Sequence, residues 1–279
     1  RHHFGCLRRD VTVIAEELAA AKGRSAVSGR PPLRADLAAL AALTGWGYFP
    51  IAFIGRLPFA MMVVGILTVV ATVSGSVAEA GIAAAVAGIG TATIGPVMGS
   101  LADRLGQRRV LFAAGAISIV SVAAFLLLVI ADASITAIAV AAFVTGGTTP
   151  QVSPFSRSRL VVFAGTPRTE ATRSRAMSMV MSYESVVDEA SFVLGPVLVG
   201  ILTSLIAPWA PLAAGAVITA TIVTAFALHP TARAVGRPAP GGDKRGSAFS
   251  PEIAVLAGGM LLVGAVFGSI LTALTQFMT

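Results

Sequence analysis

Three carboxylates lie inside or beside one long apolar run, in the string Tyr183-Glu184-Ser-Val-Val-Asp188-Glu189-Ala-Ser-Phe-Val-Leu-Gly195-Pro196-Val-Leu-Val-Gly200. A charge at the centre of a lipid-buried helix costs about 2.5–3.5 kcal/mol on insertion scales, so such side chains turn toward other helices or a wet cavity. Glu184 and Asp188, four residues apart, share a helix face, and Glu189 is rotated from Asp188 by about 100°. Burial and like-charge crowding both favour the neutral form of a carboxyl. The group is therefore a candidate for proton coupling, with Asp188 or Glu189 binding a proton on one side of a membrane and releasing it on the other. Two other readings fit the same residues: an ion pair with Arg56 or a loop arginine that fixes packing, or interfacial solvation, chiefly of Glu184. Arg56 is the only basic residue inside an apolar run. It either snorkels to the interface, pairs with one of these carboxylates, or attracts an anionic substrate.

No metal or covalent chemistry competes with this one. His2, His3 and His229 are scattered, and the single cysteine, Cys6, allows neither a disulfide framework nor a thiolate site. A nucleophile elbow, a phosphate-binding loop and a metal-ligand spacing are all missing, which argues against an enzyme and implies no cofactor. Of the 279 residues, 56% are hydrophobic and 12% charged, with a mean hydropathy of +0.86, values that belong in a bilayer and not in a soluble domain.

About 20 residues at 1.5 Å each cross a hydrocarbon core of roughly 30 Å. Seven runs are long enough, at about 48–72, 78–98, 110–130, 134–155, 179–206, 210–228 and 253–277. Turns are expected at Ser74-Gly75-Ser76, at Asp132 and at Pro208-Trp209, with a basic loop carrying Arg157, Arg159, Arg168, Arg173 and Arg175 between the fourth and fifth runs. The polar, broken stretch Gly146-Gly147-Thr148-Thr149-Pro150 belongs where it faces other helices or water. These runs divide the chain into a basic leader (1–46), a six-helix bundle (47–228), a hydrophilic linker (229–250) and a seventh helix (251–279). With the N-terminus in the cytoplasm, every Lys and Arg outside the spans falls on the cytoplasmic side, which is the positive-inside pattern. The net charge of +7 is thereby accounted for without nucleic acid.

Between the second and third runs lies Gly99-Ser-Leu-Ala-Asp-Arg-Leu-Gly-Gln-Arg-Arg-Val-Leu111. Gly99, Leu101, Ala102, Asp103, Arg104, Gly106, Arg108 and Leu111 match the signature loop of the major facilitator superfamily, Gly-x-Leu-Ala-Asp-Arg-x-Gly-x-Lys/Arg-x-x-Leu, which this chain resembles; Gln107 stands where a basic residue is common. The resemblance implies an all-α membrane protein. Its six-helix bundle would consist of two inverted three-helix repeats, followed by the first helix of a second half whose remainder lies beyond Thr279. It also implies a gating role for Asp103, whose equivalent latches the two halves by docking on a helix N-terminus and a neighbouring arginine.

Ser191, Gly195, Pro196 and Gly200 resemble in part the antiporter motif of drug efflux facilitators, Gly-x-x-x-Gly-Pro-x-x-Gly-Gly, with Ser191 and Val199 replacing two of its glycines. Small residues there allow close helix approach, and ordinary packing explains them equally well. The acidic string and Arg56-Leu57-Pro58 are similar to those of actinobacterial facilitators of the drug-efflux-like kind. The expectation is a secondary transporter in the plasma membrane, exporting small amphipathic molecules against protons, its partners being the bilayer, the cargo and the other half of the same protein. A metabolite importer and a seven-helix receptor are the alternatives.

Overall fold

The computed structural model describes residues 38, 40–42, 44–166, 169–233, 235, 255 and 258–266. Among them there is no strand, and six helical spans are long and apolar enough to cross a membrane: α1 (Tyr48–Ser74), α2 (Val77–Leu105), α3 (Gln107–Ile130), α4 (Ile135–Ala164), α5 (Glu170–Leu205) and α6 (Ala210–Leu228). The chain divides into two units, Arg1–Arg237 and Pro238–Thr279. In the second, residues 255 and 258–266 are helical, and the rest of the expected seventh helix lies outside the described residues. So do most of the leader and most of the linker.

The turns fall where the residue chemistry demands them. Gly75 takes φ 67° after α1, and Ser76 caps α2 by accepting a hydrogen bond from the Glu79 amide. Asp132, at φ 52°, makes the turn after α3, a conformation that Asp tolerates better than most residues. The expected loop at 99–111 is corrected to a one-residue turn. Gly99 to Leu105 complete α2, Gly106 alone breaks the helix at φ 91°, and α3 starts at Gln107. Glycine enters that backbone region without a Cβ clash. The basic loop after the fourth run also shortens: Arg157 and Arg159 lie within α4, while Arg173 and Arg175 belong to the first two turns of α5. Apolar length marks the part of a helix that meets lipid, and helix continues past it through good helix formers such as Arg and Met.

The packing pattern is that of two interchanged triplets. α1 packs on α2, α5 and α6, and α4 packs on α5, α2 and α3, so swapping α1–α3 with α4–α6 leaves the set of neighbours unchanged. Small residues make the closest approach between α2 and α4. A Cβ on Gly90 would collide with the Phe143 carbonyl, one on Gly146 with the Ala87 carbonyl, and Thr91 Oγ1 donates to the Gly146 carbonyl at 2.9 Å. Gly95 and Gly99, four residues apart further along α2, do not share this close contact. Gly99 has open space around it, and Gly95 meets only the side chain of Gln151.

Two apolar clusters fill the ends of the bundle. One holds Tyr48, Val110, Leu111, Leu160 and Phe226 at the end where Asp103 lies, and the other holds Ile66, Val69, Val70, Phe125 and Ile138 at the far end. Three spans are interrupted. α1 breaks at Gly55-Arg56 into Tyr48–Ile54 and Leu57–Ser74, α4 breaks at Thr149–Gln151 into Ile135–Thr148 and Val152–Ala164, and α6 passes through a π-turn at Thr219–Val223. The first two breaks meet, because Val152 lies 3.3 Å from where a Cβ on Gly55 would stand.

Candidate functional site

At the level of those breaks, Arg56 is buried at 4% exposure against two carboxylates of α5. Its Nη2 donates to Glu184 Oε2 at 2.6 Å, its Nε to Asp188 Oδ1 at 2.9 Å, and its Nη1 to the Ala52 carbonyl at 2.9 Å. The i, i+4 spacing of the acids makes this possible, since both project from one face of α5 toward α1. The Ala52 carbonyl is within reach because the break in α1 comes just before the second helix begins at Leu57.

The second piece of α4 completes the shell. Ser156 Oγ donates to Glu184 Oε1 at 2.7 Å, Ser153 Oγ to Asp188 Oδ2 at 2.8 Å, and Arg157 Nη2 to the same Oδ2 at 3.2 Å. Tyr48 reaches Ser156 at 2.9 Å between the two hydroxyls. Glu184 is thus at 0% exposure and Asp188 at 21%, the latter opening on a cavity of about 210 Å³ lined by Phe59, Gln151, Ser191 and Phe192. Two guanidinium groups balance two carboxylates, so the cluster is close to neutral.

Several expectations change here. Glu184 is not solvated at an interface; the Arg56 pair and the surrounding helices bury it completely. Arg56 does not snorkel, because two carboxylates and a free carbonyl satisfy its donors where it stands. Glu189 points away from the cluster and is exposed. Arg157 is one of the arginines expected in the loop, and its pair with Asp188 is the loop-arginine reading of the acids, whereas Ser153 and Ser156 did not stand out in the sequence. The i, i+3, i+4 spacing of these three on one helix face is the signal that matches Glu184 and Asp188.

The partial antiporter motif separates into its members. Gly195 is buried, and a Cβ there would stand 2.7 Å from the Ala60 carbonyl, so this glycine lets α5 touch α1. Ser191 is buried with its hydroxyl turned back to the Val187 carbonyl. Pro196 and Gly200 are exposed on the same helix.

In the signature turn, Asp103, Arg104 and Arg108 are exposed, and Arg108 lies over the Phe112 ring. Asp103, Gly99, Thr91, Gly147 and Gln151 line a cavity of about 560 Å³ between α2 and α4. Gln107 is buried and explains its own departure from the signature. Its Oε1 accepts from Arg159 Nε at 2.9 Å and its Nε2 donates to Ser158 Oγ at 2.7 Å. Arg159, fully buried, also donates to the Phe226 carbonyl at 2.7 Å and lies 3.9 Å over the Phe226 ring. A basic residue at 107 would set two buried cations side by side. Just past α6, burial first and the charge of Arg159 second push the His229 imidazole below its ordinary value.

Among the described residues no group of His, Cys, Asp or Glu is placed to hold a metal ion. No curated protein and no solved structure matches the chain. The family model of the Major Facilitator Superfamily matches residues 48–279, a range that contains the six spans and the Gly106 turn. The chain therefore belongs to the major facilitator superfamily of membrane transporters.

Proposed function

We propose that the protein is a proton-coupled exporter of small amphipathic molecules, of the drug-efflux-like kind, working by alternating access in the plasma membrane with its N-terminus and the Gly106 turn in the cytoplasm. The observation that carries the reading is the Arg56–Glu184–Asp188 cluster. An ion pair locked on all sides would serve packing alone, but here one acid, Asp188, reaches a cavity while the other is sealed. Glu184 and Arg56 form the fixed pair, and Asp188 is the carboxylate that water can approach with a proton. Glu189, on the other face of α5, is given no coupling role. The aromatic rings of Phe59 and Phe192 beside the Asp188 cavity suit an apolar cargo with a polar handle. Asp103 serves as a gate latch at the cytoplasmic end, and Gly195 keeps α5 close enough to α1 to seal the path.

The test is transport by the full-length protein reconstituted in liposomes, with an imposed pH gradient and a panel of fluorescent dyes and drugs as cargo. Asp188→Asn is expected to abolish uphill movement while leaving downhill exchange, and Glu189→Gln to behave like the wild type. Uphill transport with an unchanged pH dependence in Asp188→Asn would sink the reading.

A further inference from the structure

The two pieces of α4 hold to different neighbours. Ile135–Thr148 is fastened to α2 by the close approach of Gly146 and by the Thr91 bond to its carbonyl. Val152–Ala164 is fastened to α5 through Ser153, Ser156 and Arg157, and further along Arg159 ties it to Gln107 at the start of α3 and to the Phe226 carbonyl at the end of α6. Between them Thr149 (ψ 120°) and Gln151 (ψ 96°) are extended. Pro150 explains this, since a proline lacks the N–H of a helical bond and drives the residue before it out of the helical region. The break sits opposite that of α1, so neither span carries an unbroken helix past this level.

The two oxygens of Asp188 are held by different elements. Oδ1 is bonded by Arg56, which Glu184 and the Ala52 carbonyl fix in place; Oδ2 is bonded only from α4, by Ser153 and Arg157. Arg157 is 47% exposed, so it can leave Oδ2 for water without stranding a buried charge. Arg56 has no such exit.

We propose that Ser153 and Arg157 are positioning residues for proton coupling, carried onto and off Asp188 Oδ2 by a turn of Val152–Ala164 about the Thr149–Gln151 break, a turn that takes with it the ends of α3 and α6 held by Arg159. The inference rests on the reading of Asp188 as the proton carrier. With the piece docked, Oδ2 accepts two hydrogen bonds and has no room for a proton. With the piece withdrawn, Glu184 gives up Ser156 and keeps its pair with Arg56, and a proton from water on the open side binds Asp188 Oδ2, giving a neutral acid that keeps its Oδ1 bond to Arg56. When the piece returns on the other side of the cycle, Arg157 and Ser153 retake Oδ2 and the proton leaves to water there. The charged groups facing Asp188 are Arg56 from α1, Arg157 from α4 and Glu184 from its own helix, and α6 contributes no charged side chain.

The experiment uses the reconstituted full-length protein. Removing a cation beside a carboxylate favours the protonated acid, so Arg157→Gln is expected to move the pH of half-maximal transport upward. Ser153→Ala should shift it the same way by less, and Arg157→Lys should restore most of the wild-type profile. Spin labels at two exposed positions, Val162→Cys on α4 and Met181→Cys on α5, with Cys6 and every other cysteine of the full-length protein replaced by serine, read the movement. Their separation should change between acid and mildly alkaline buffer and stop changing in Asp188→Asn. A wild-type pH midpoint in both Arg157→Gln and Ser153→Ala, or a separation indifferent to pH, overturns the inference while Asp188→Asn still loses uphill transport. If Asp188→Asn keeps uphill transport, the carrier reading itself is what fails, and the inference goes with it.

Discussion

One guanidinium shared by two carboxylates makes Arg56 the residue on which the buried charge of this bundle depends. Its removal leaves Glu184, at 0% exposure, with only the Ser156 hydroxyl to stabilise its charge. Breaking a buried pair by deleting one partner costs about 3–5 kcal/mol, whereas replacing both partners by apolar groups of similar size is often nearly neutral. Arg56→Ala should therefore lower the thermal unfolding midpoint in detergent by many degrees, and Arg56→Met with Glu184→Leu should recover most of it. A double variant as unstable as the single one would mean that the pair fixes the geometry of the two breaks and not merely its own charge balance. At this scale much of the site was readable. Charges inside apolar runs are conspicuous, so Arg56, Glu184 and Asp188 stood out, and pairing with Arg56 was among the readings. Ser153 and Ser156 did not, because a hydroxyl beside a loop carries no charge to mark it, and Arg157 stood only among several loop arginines until a helix was known to carry it.

Helix by helix, the crossing segments were legible and their ends were not. Hydropathy located all six spans, yet α4 and α5 each run about two turns further than their apolar stretch, and the loop expected between α2 and α3 shrank to Gly106. Those extra turns are what bring Arg159 to the start of α3 and the end of α6. There it clamps three elements, taking Gln107 from α3 and the Phe226 carbonyl from α6, a carbonyl made more favourable for a cation by the helix dipole. Gln107→Arg, which restores the residue type common at that point of the signature, is expected to destabilise this protein by about 3 kcal/mol, the order of an uncompensated buried charge. Adding Arg159→Gln should return more than half of that loss, read as unfolding in a double-mutant cycle. Additive losses would show that the two side chains do not act as a pair. The π-turn of α6 had no sequence signal that we can identify; its Thr-Ala-Thr-Ile-Val run is compatible with ordinary helix.

Across the molecule, the interchanged packing of α1–α3 and α4–α6 puts the turns at Gly75, Asp132 and Pro208 at one end, and those at Gly106 and 165–169 at the other. Charge follows the same division. Arg104, Arg108, Arg109, Arg173 and Arg175 all belong to the Gly106 end, and no Lys or Arg lies in the three opposite turns. Short loops rich in Lys and Arg stay in the cytoplasm during insertion. The proposed orientation thus follows from physical terms independent of the coupling chemistry, and it can be tested separately. With Cys6 and every other cysteine of the full-length protein replaced by serine, Asp132→Cys should react with a membrane-impermeant maleimide added to intact cells, and Arg109→Cys should react only after permeabilisation. The opposite pattern would turn the bundle over, making the Gly106 turn external and reversing the side on which Asp188 must receive its proton. Labelling of both cysteines from outside would point to a mixed population, expected only if charge did not determine insertion. With the strong asymmetry of this chain, a single orientation is the expected result.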